Sequence, residues 1–256
     1  MITKKELWDF ARIKDLNIGN AEKDYLIDIA LSSIFQHTKN ELVFKGGTCL
    51  YKFHKLNRLS EDIDFSAVKD IEISRLINRV LLDFERYGIK VVQHQRKEPY
   101  NSVLITLRIE GPLFNGKSIT YANLGIDINL KSPAVLEPEL LNYNSIYPEI
   151  PAIHALCMRL QEIFAEKIRA ILTRIKARDL FDLNFLLDKG VYASAETLNE
   201  KMEYYEEVFN IEKLLSRLKL FEQYWKKELL GFTRDLQDFN SVMKNVKGRL
   251  MDLYKK

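Results

Sequence analysis

A chain of 256 residues, 46% hydrophobic and 29% charged, has enough apolar material to bury a core in one large domain or two small ones. It lacks the run of about eighteen consecutive apolar residues that crosses a bilayer, and its charged opening MITKKELWDFARIKD is unlike a secretory signal, so a cytoplasmic location with no membrane partner is expected. The formal net charge is only +3, yet residues 211–256 hold 11 Lys/Arg against 6 Asp/Glu, which confines the basic excess to the C-terminal end.

Asn20 is the predicted N-cap of a helix through NAEKDYLIDIALSSIFQH, with Tyr25, Ile29 and Ile34 spaced along one face. LVFK reads as a short buried strand, TCLYKFHKL as a helix opened by Gly-Gly-Thr, EDIDFS as a strand, and ISRLINRVLLDFERYG as a helix ending at Gly88. The segments IKVVQHQ, SVLITLRIEG and SITYANLGIDINL are β-branched and partly alternating, with turn material KEPYN and GPLFNGK between them. They are expected as neighbouring antiparallel strands.

Pro133, Pro138, Pro148 and Pro151 crowd a segment that cannot be one regular element. We take this as the seam between a mixed domain, residues 1–150, and a helical domain, residues 151–256. The predicted helices of the latter are RLQEIFAEKIRAILTR, RDLFDLNFLLDKG, SAETLNEKMEYYEEVF, a segment around IEKLLSRLKLFEQYWKKELL, and a last one from Asp235. In that last helix Leu236, Phe239, Val246, Leu250 and Leu253 form one apolar stripe, the mark of packing in a bundle. The fold class is therefore α+β.

Chemistry concentrates between Phe44 and Phe65, FKGGTCLYKFHKLNRLSEDIDF. Gly46 and Gly47 let backbone N–H groups approach a ligand, and the hydroxyl of Thr48 with the first helical turn suits phosphate oxygens. Alone, the turn reads more simply as a glycine bend with a threonine N-cap. Asp62 and Asp64 lie two apart on a strand and so share a face. Side by side they repel unless a cation lies between them, and magnesium favours such hard oxygen ligands; a solvated polar strand face is the bland alternative. Asp127 interrupts a strand whose Leu124, Ile126, Ile128 and Leu130 keep the opposite face, so all three carboxylates converge if the two strands are neighbours.

Lys167 sits on the apolar stripe of its helix, beside Ile163, Phe164 and Ile171, where it either snorkels to water, pairs with an acid, or neutralises a bound triphosphate. Arg178 and Asp182 are four apart and read as a surface ion pair, although the apolar neighbours of Asp182 argue for burial and for a role in orienting Lys167. Cys49 and Cys157 form no CxxC or Cys/His cluster and are expected as free thiols. His37, His54, His94 and His154 lack ligand spacing, so zinc is not indicated.

The runs KGGTCLYKFHKLNRLSEDIDFS and AEKIRAILTRIKARDLFDL resemble the nucleotidyltransferase toxins of the abortive-infection AbiEii/AbiGii family, within the polymerase-β-like superfamily. The resemblance spans roughly Leu42 to Leu187. It implies a minimal nucleotidyltransferase domain with a mixed sheet followed by a helical bundle. It also implies transfer of a nucleoside monophosphate from NTP with Mg²⁺ or Mn²⁺, RNA and in particular the tRNA 3′ end as acceptor, and a cognate antitoxin. On it, Lys45, Gly46, Gly47 and Thr48 match the triphosphate-binding turn. Asp62 and Asp64 match the metal pair and Asp127 the third acid, while Lys167, Arg178, Asp179 and Asp182 match the downstream K…RDxxD motif. The chemistry it implies is attack of an acceptor hydroxyl on the α-phosphorus, with Asp127 as base. The same site on a small-molecule hydroxyl, or a non-catalytic binding module on the same fold, are the alternatives. Lys244, Lys247 and Lys255 share one side of the last helix and could hold RNA phosphates, or simply be a solvated face.

Overall fold

The structure, a computed structural model, describes residues 1–131, 134–203, 206, 208–233 and 235–254. The chain divides into two units: residues 1–55, 59–133 and 138–157, and residues 56–58, 134–137 and 158–256. The division falls after Cys157, beyond Pro151, because Ile153–Cys157 is a strand of the first unit's sheet.

The first unit opens with α1 (Lys4–Ile13), whose Thr3 and Glu6 form a reciprocal capping box. Its sequence signal is the T-x-x-E of Thr3 and Glu6. The next helix, α2 (Ile18–His37), is capped by Asn17, not Asn20: the Asn17 carboxamide accepts the Asn20 N–H. Then follow β1 (Leu42–Lys45), α3 (Gly46–His54), β2 (Ile63–Ala67) and α4 (Ile73–Arg86). After these come β3 (Val91–Lys97), β4 (Ser102–Ile109), β5 (Ala122–Asn129), β6 (Glu139–Tyr143) and β7 (Ile153–Cys157).

The strands form one seven-stranded sheet in the order β3-β4-β5-β2-β1-β7-β6. The β2–β5 and β1–β7 pairs are parallel and the others antiparallel, so the expected β3–β4–β5 meander is present. Strands β6 and β7 fall inside the proline-crowded segment that the sequence marks as irregular, with Pro138, Pro148 and Pro151 beside them. Helix α4 ends as expected, with Gly88 at φ +71. Strand β5 stops at Asn129, so Leu130 leaves the alternation and is exposed rather than facing the core. The core gathers Phe44, Phe65 and Phe35, with ring centroids 5.4–6.1 Å apart.

The second unit contains α5 (Leu160–Thr173), α6 (Ala177–Asp188), α7 (Ala195–Glu203), α8 (Ile211–Arg217), α9 (Glu222–Leu229) and α10 (Phe239–Tyr254). The single helix expected around IEKLLSRLKLFEQYWKKELL is broken by a 3₁₀ turn, Leu218–Phe221. The last helix begins at Phe239, where the Asp238 carboxylate accepts the Ser241 N–H; Leu236 lies outside it. Its buried residues are Phe239, Val242, Val246 and Leu250, while Leu253 is only half-buried. Trp225 is almost wholly buried against Phe181 and Phe239 and donates its indole N–H to the Gln237 carbonyl at 2.9 Å. No described helix is long and apolar enough to cross a membrane.

Candidate active site

In the first unit the chain passes from β1 directly into α3. Lys45 closes the strand and Gly46, at φ +75, turns it into the helix, a conformation that favours glycine. Lys45 is opposite Asp64 in the β1–β2 register, and a Cβ on Gly46 would stand only 2.3 Å from Asp64 Oδ2. The glycine therefore does two things: it takes the left-handed turn and leaves the space the carboxylate occupies. Gly47 and Thr48 are buried in the first turn of α3. The Thr48 hydroxyl, expected to face a phosphate, donates instead to the Asp62 carbonyl, which ties the start of α3 to the entry of β2.

Asp62 is exposed just before β2, and Asp64 is half-buried within it. Strand β2 runs parallel to β5 with Asp64 directly opposite Asp127, so these two side chains share a face. Asp62 has its own glycine: a Cβ on Gly125 would lie 2.5 Å from Asp62 Oδ1. Among the described residues, no three His, Cys, Asp or Glu side chains close into a ready-made metal cluster. The donor set nevertheless fits a hard divalent cation. It is made only of carboxylate oxygens, on one sheet face, with two glycines leaving room around them.

A second assembly was not legible in the sequence. Lys52 of α3 is buried and contacts Asp24 Oδ1 at 2.6 Å and Asp28 Oδ1 at 2.5 Å on α2, while Lys14 reaches Asp24 Oδ2 at 2.7 Å. The Tyr51 and Tyr147 hydroxyls donate to Asp24, and those of Tyr143 and Ser145 donate to Asp28. Burial alone would raise the Asp24 pKa, but Lys52 and Lys14 outweigh it and hold the carboxyl below the usual range. The network fixes α3, and with it the glycine turn, against α2. Its sequence signal was the four-residue spacing of Asp24 and Asp28, which puts two acids on one side of the apolar run Tyr25, Leu26, Ile27, Ile29, Ala30 and Leu31. Cys49 and Cys157 are buried free thiols, as expected.

In the second unit Lys167 is buried, with its ammonium 3.0 Å from Asp179 Oδ1 and 2.7 Å from Asp182 Oδ2. Burial works against its charge, but Asp182 and then Asp179 outweigh this and raise its pKa above that of an ordinary lysine. Burial likewise opposes ionised Asp179, and Lys167 with Arg174 overcomes it, holding that carboxyl below the usual range. The expected surface pair of Arg178 with Asp182 is displaced. Arg58, which no local pattern ties to Asp182, donates from Nε and Nη2 to the two Asp182 oxygens, both at 2.7 Å, while Arg178 is half-buried. A bidentate guanidinium held in the interior recognises a carboxylate better than one swinging in solvent. Lys244 and Lys247 are exposed on α10, and Lys255 lies outside the described residues.

Comparison with known proteins agrees with this architecture. No curated protein sequence matches the chain. Among solved structures, JHP933 from Helicobacter pylori superimposes with a TM-score of 0.58 at 22% identity, covering 94% of each chain. MenT4, a nucleotidyltransferase toxin from Mycobacterium tuberculosis H37Rv, gives a TM-score of 0.63 at 17% identity, over 100% of this chain and 91% of the other. At such identities the likeness is one of fold. The sequence model of the nucleotidyl transferase AbiEii toxin, type IV toxin–antitoxin system, matches residues 29–245, a span that includes the glycine turn, all three aspartates and the Lys167 network. The chain belongs to the AbiEii nucleotidyltransferase toxin family of type IV toxin–antitoxin systems.

Proposed function

We propose that the protein transfers a nucleoside monophosphate from NTP to a hydroxyl on RNA, with the tRNA 3′ end as the foremost candidate, and that it does so as the toxin partnered by a cognate antitoxin. The observation that carries this reading is the register of β2 with β5, which sets Asp64 opposite Asp127 beside the turn from Lys45 to Thr48. Asp62, Asp64 and Asp127 would hold Mg²⁺ or Mn²⁺, which when bound lowers the acceptor hydroxyl's pKa and neutralises phosphate charge.

The remaining chemistry belongs to the chain. Backbone N–H groups from Gly46 to Thr48, at the positive end of α3, bind phosphate oxygens. Asp127 takes the proton of the acceptor hydroxyl as its oxygen bonds to the α-phosphorus, and the bond from that phosphorus to the β-phosphate oxygen breaks to release pyrophosphate. Lys167 is assigned to neutralise triphosphate charge, with Asp179 and Asp182 keeping it protonated and fixed; they use two of its three donors. Arg178, on the same helix as those acids, is the further candidate for nucleotide contact. On this reading the exposed lysines of α10, Lys244 and Lys247, contribute to RNA affinity, and Lys255, outside the described residues, is assigned to the same role from its sequence spacing.

The test is incubation of the protein with each labelled NTP, Mg²⁺, and either bulk RNA or a metabolite extract. Label should enter RNA and be lost in Asp62→Ala and Asp64→Ala, whose folds persist because these side chains are exposed or half-buried. Label entering only small molecules would replace the acceptor, and undiminished transfer by both variants would overturn the site.

A further inference from the structure

The sheet carries the three aspartates on a face that continues outward across β4 and β3. On β4 the buried residues are Val103, Ile105, Leu107 and Ile109, while Ser102, Leu104, Thr106 and Arg108 are half-exposed. Register joins these outward residues to their neighbours. Leu104 is opposite Asp127 on one side and Lys97 on the other; Thr106 lies between Gly125 and Gln95; Arg108 lies between Asn123 and Val92. Asp64, Asp127, Leu104 and Lys97 therefore form one continuous cross-strand row. With strands about 4.8 Å apart, the Lys97 position is about 10 Å from that of Asp127.

Away from the aspartates this face changes character. No outward position of β3 or β4 carries an acid, and Lys97 and Arg108 supply positive charge. The Arg108 guanidinium lies 5.5 Å from the centre of the Tyr121 ring, which in turn packs on Phe114 at 4.6 Å. Arg108 Nη2 also sits 2.7 Å from His94 Nε2. At the tip of the β3–β4 hairpin Tyr100 is fully exposed and held at φ +51, a left-handed backbone that a bulky side chain rarely adopts.

A fully solvated tyrosine kept in a strained turn, a lysine in register with the catalytic row, and an arginine stacked on an aromatic pair are the ingredients of a single-strand nucleic-acid track. Such tracks combine backbone cations with stacking surfaces. We infer that the outward face of β3, β4 and β5 seats the single-stranded acceptor end of the RNA, with Lys97 and Arg108 on phosphates and Tyr100 on a base, leading the terminal hydroxyl toward Asp127. The inference rests on the nucleotidyl transfer reading above and adds to it the surface that receives the acceptor. A protein partner fits this face less well, because its apolar positions, Leu104 and Val92, are separated by Thr106, Arg108, Gln95 and Lys97 and form no continuous apolar core.

The experiment measures binding of labelled poly(U) and of bulk tRNA to the full chain across a salt series, beside calorimetric binding of free NTP. Lys97→Gln with Arg108→Gln should weaken both RNAs about tenfold and flatten the salt slope by about 1.4, the value for two phosphate contacts on a single strand. Tyr100→Gly relieves the strained φ, so it should leave thermal stability equal or higher while weakening RNA about tenfold through lost stacking. NTP binding should stay unchanged in all variants. Wild-type-like RNA affinity and slope in folded variants of a protein that still modifies RNA would overturn this inference alone. Loss of antitoxin binding without loss of RNA affinity would overturn it in favour of a protein-docking face. A wild-type protein that consumes NTP but neither binds nor modifies RNA would overturn it together with the RNA acceptor.

Discussion

Three glycine-to-alanine substitutions separate backbone strain from carboxylate placement. Gly46 is at φ +75 and its added Cβ would meet Asp64 Oδ2 at 2.3 Å, Cγ at 3.0 Å and Cβ at 3.1 Å. Gly88 has nearly the same dihedral, φ +71, but nothing within 4 Å of the added atom, whereas Gly125 has no positive φ and would meet Asp62 Oδ1 at 2.5 Å. Left-handed backbone costs an alanine about 1–2 kcal/mol, or some 2–8 °C of melting temperature at about 2–4 °C per kcal/mol for a chain of this size. Gly88→Ala should show that loss with full activity. Gly125→Ala should show no loss, or a gain of about 0.5–1 kcal/mol, since glycine weakens a strand. Its transfer activity should nevertheless fall, because Asp62 must leave its place.

Gly46→Ala should combine both effects. The Asp64 Cβ as well as its oxygen is crowded, so rotation of the side chain alone does not clear the contact. A shift of about 1 Å in a reacting group lowers turnover on the order of 10²-fold. Thermal melts and labelled-NTP transfer to bulk RNA are the two assays. If Gly46→Ala and Gly125→Ala both transfer nucleotide at the rate of Gly88→Ala, Asp62 and Asp64 are not where the chemistry happens.

Lys167→Met keeps the aliphatic stem but removes the cation between Asp179 and Asp182. Each acid retains one arginine, Arg174 and Arg58, so the loss should be about 3 kcal/mol, the low end for breaking a buried pair, along with reduced NTP binding; unchanged stability in denaturant melts would contradict the network. The depressed Asp179 pKa sets an acid limit. A carboxyl lowered on folding contributes stability above its unfolded value near 4, and that stability is lost as pH falls through the folded value. Asp179→Asn should therefore flatten the decline in melting temperature below about pH 4, and an unaltered acid limb would exclude Asp179 as its source. Replacing Lys244, Lys247 and Lys255 with Gln should lower RNA affinity and flatten its salt dependence while leaving NTP binding intact; identical salt slopes would reduce that side of α10 to a solvated surface.

Local chemistry was enough to read α3, α4, α5, α6, β4 and β5, because period, glycine stops and β-branched runs are properties of a few consecutive residues. The same locality made the glycine turn, Asp62, Asp64 and Asp127 visible as candidates. It also misled: Asn20 and Asn17 are both of cap-forming type and three residues apart, and only Asn17 takes the role, while Leu236 continues the apolar spacing of α10 at a point where the chain is not yet helical. What the sequence could not decide is which strands become neighbours. Strands β2 and β5 are separated by some 60 residues, and their parallel register, which alone brings Asp64 opposite Asp127, follows from the way the whole sheet buries its apolar face. The same holds for ion pairing. Arg58 and Asp182 lie 124 positions apart, and Lys52 meets Asp24 and Asp28 only when the fold brings its side chain on α3 within reach of α2. A buried charge must find a partner wherever the fold places one, so its identity is a property of the tertiary structure and not of the residues beside it in the chain.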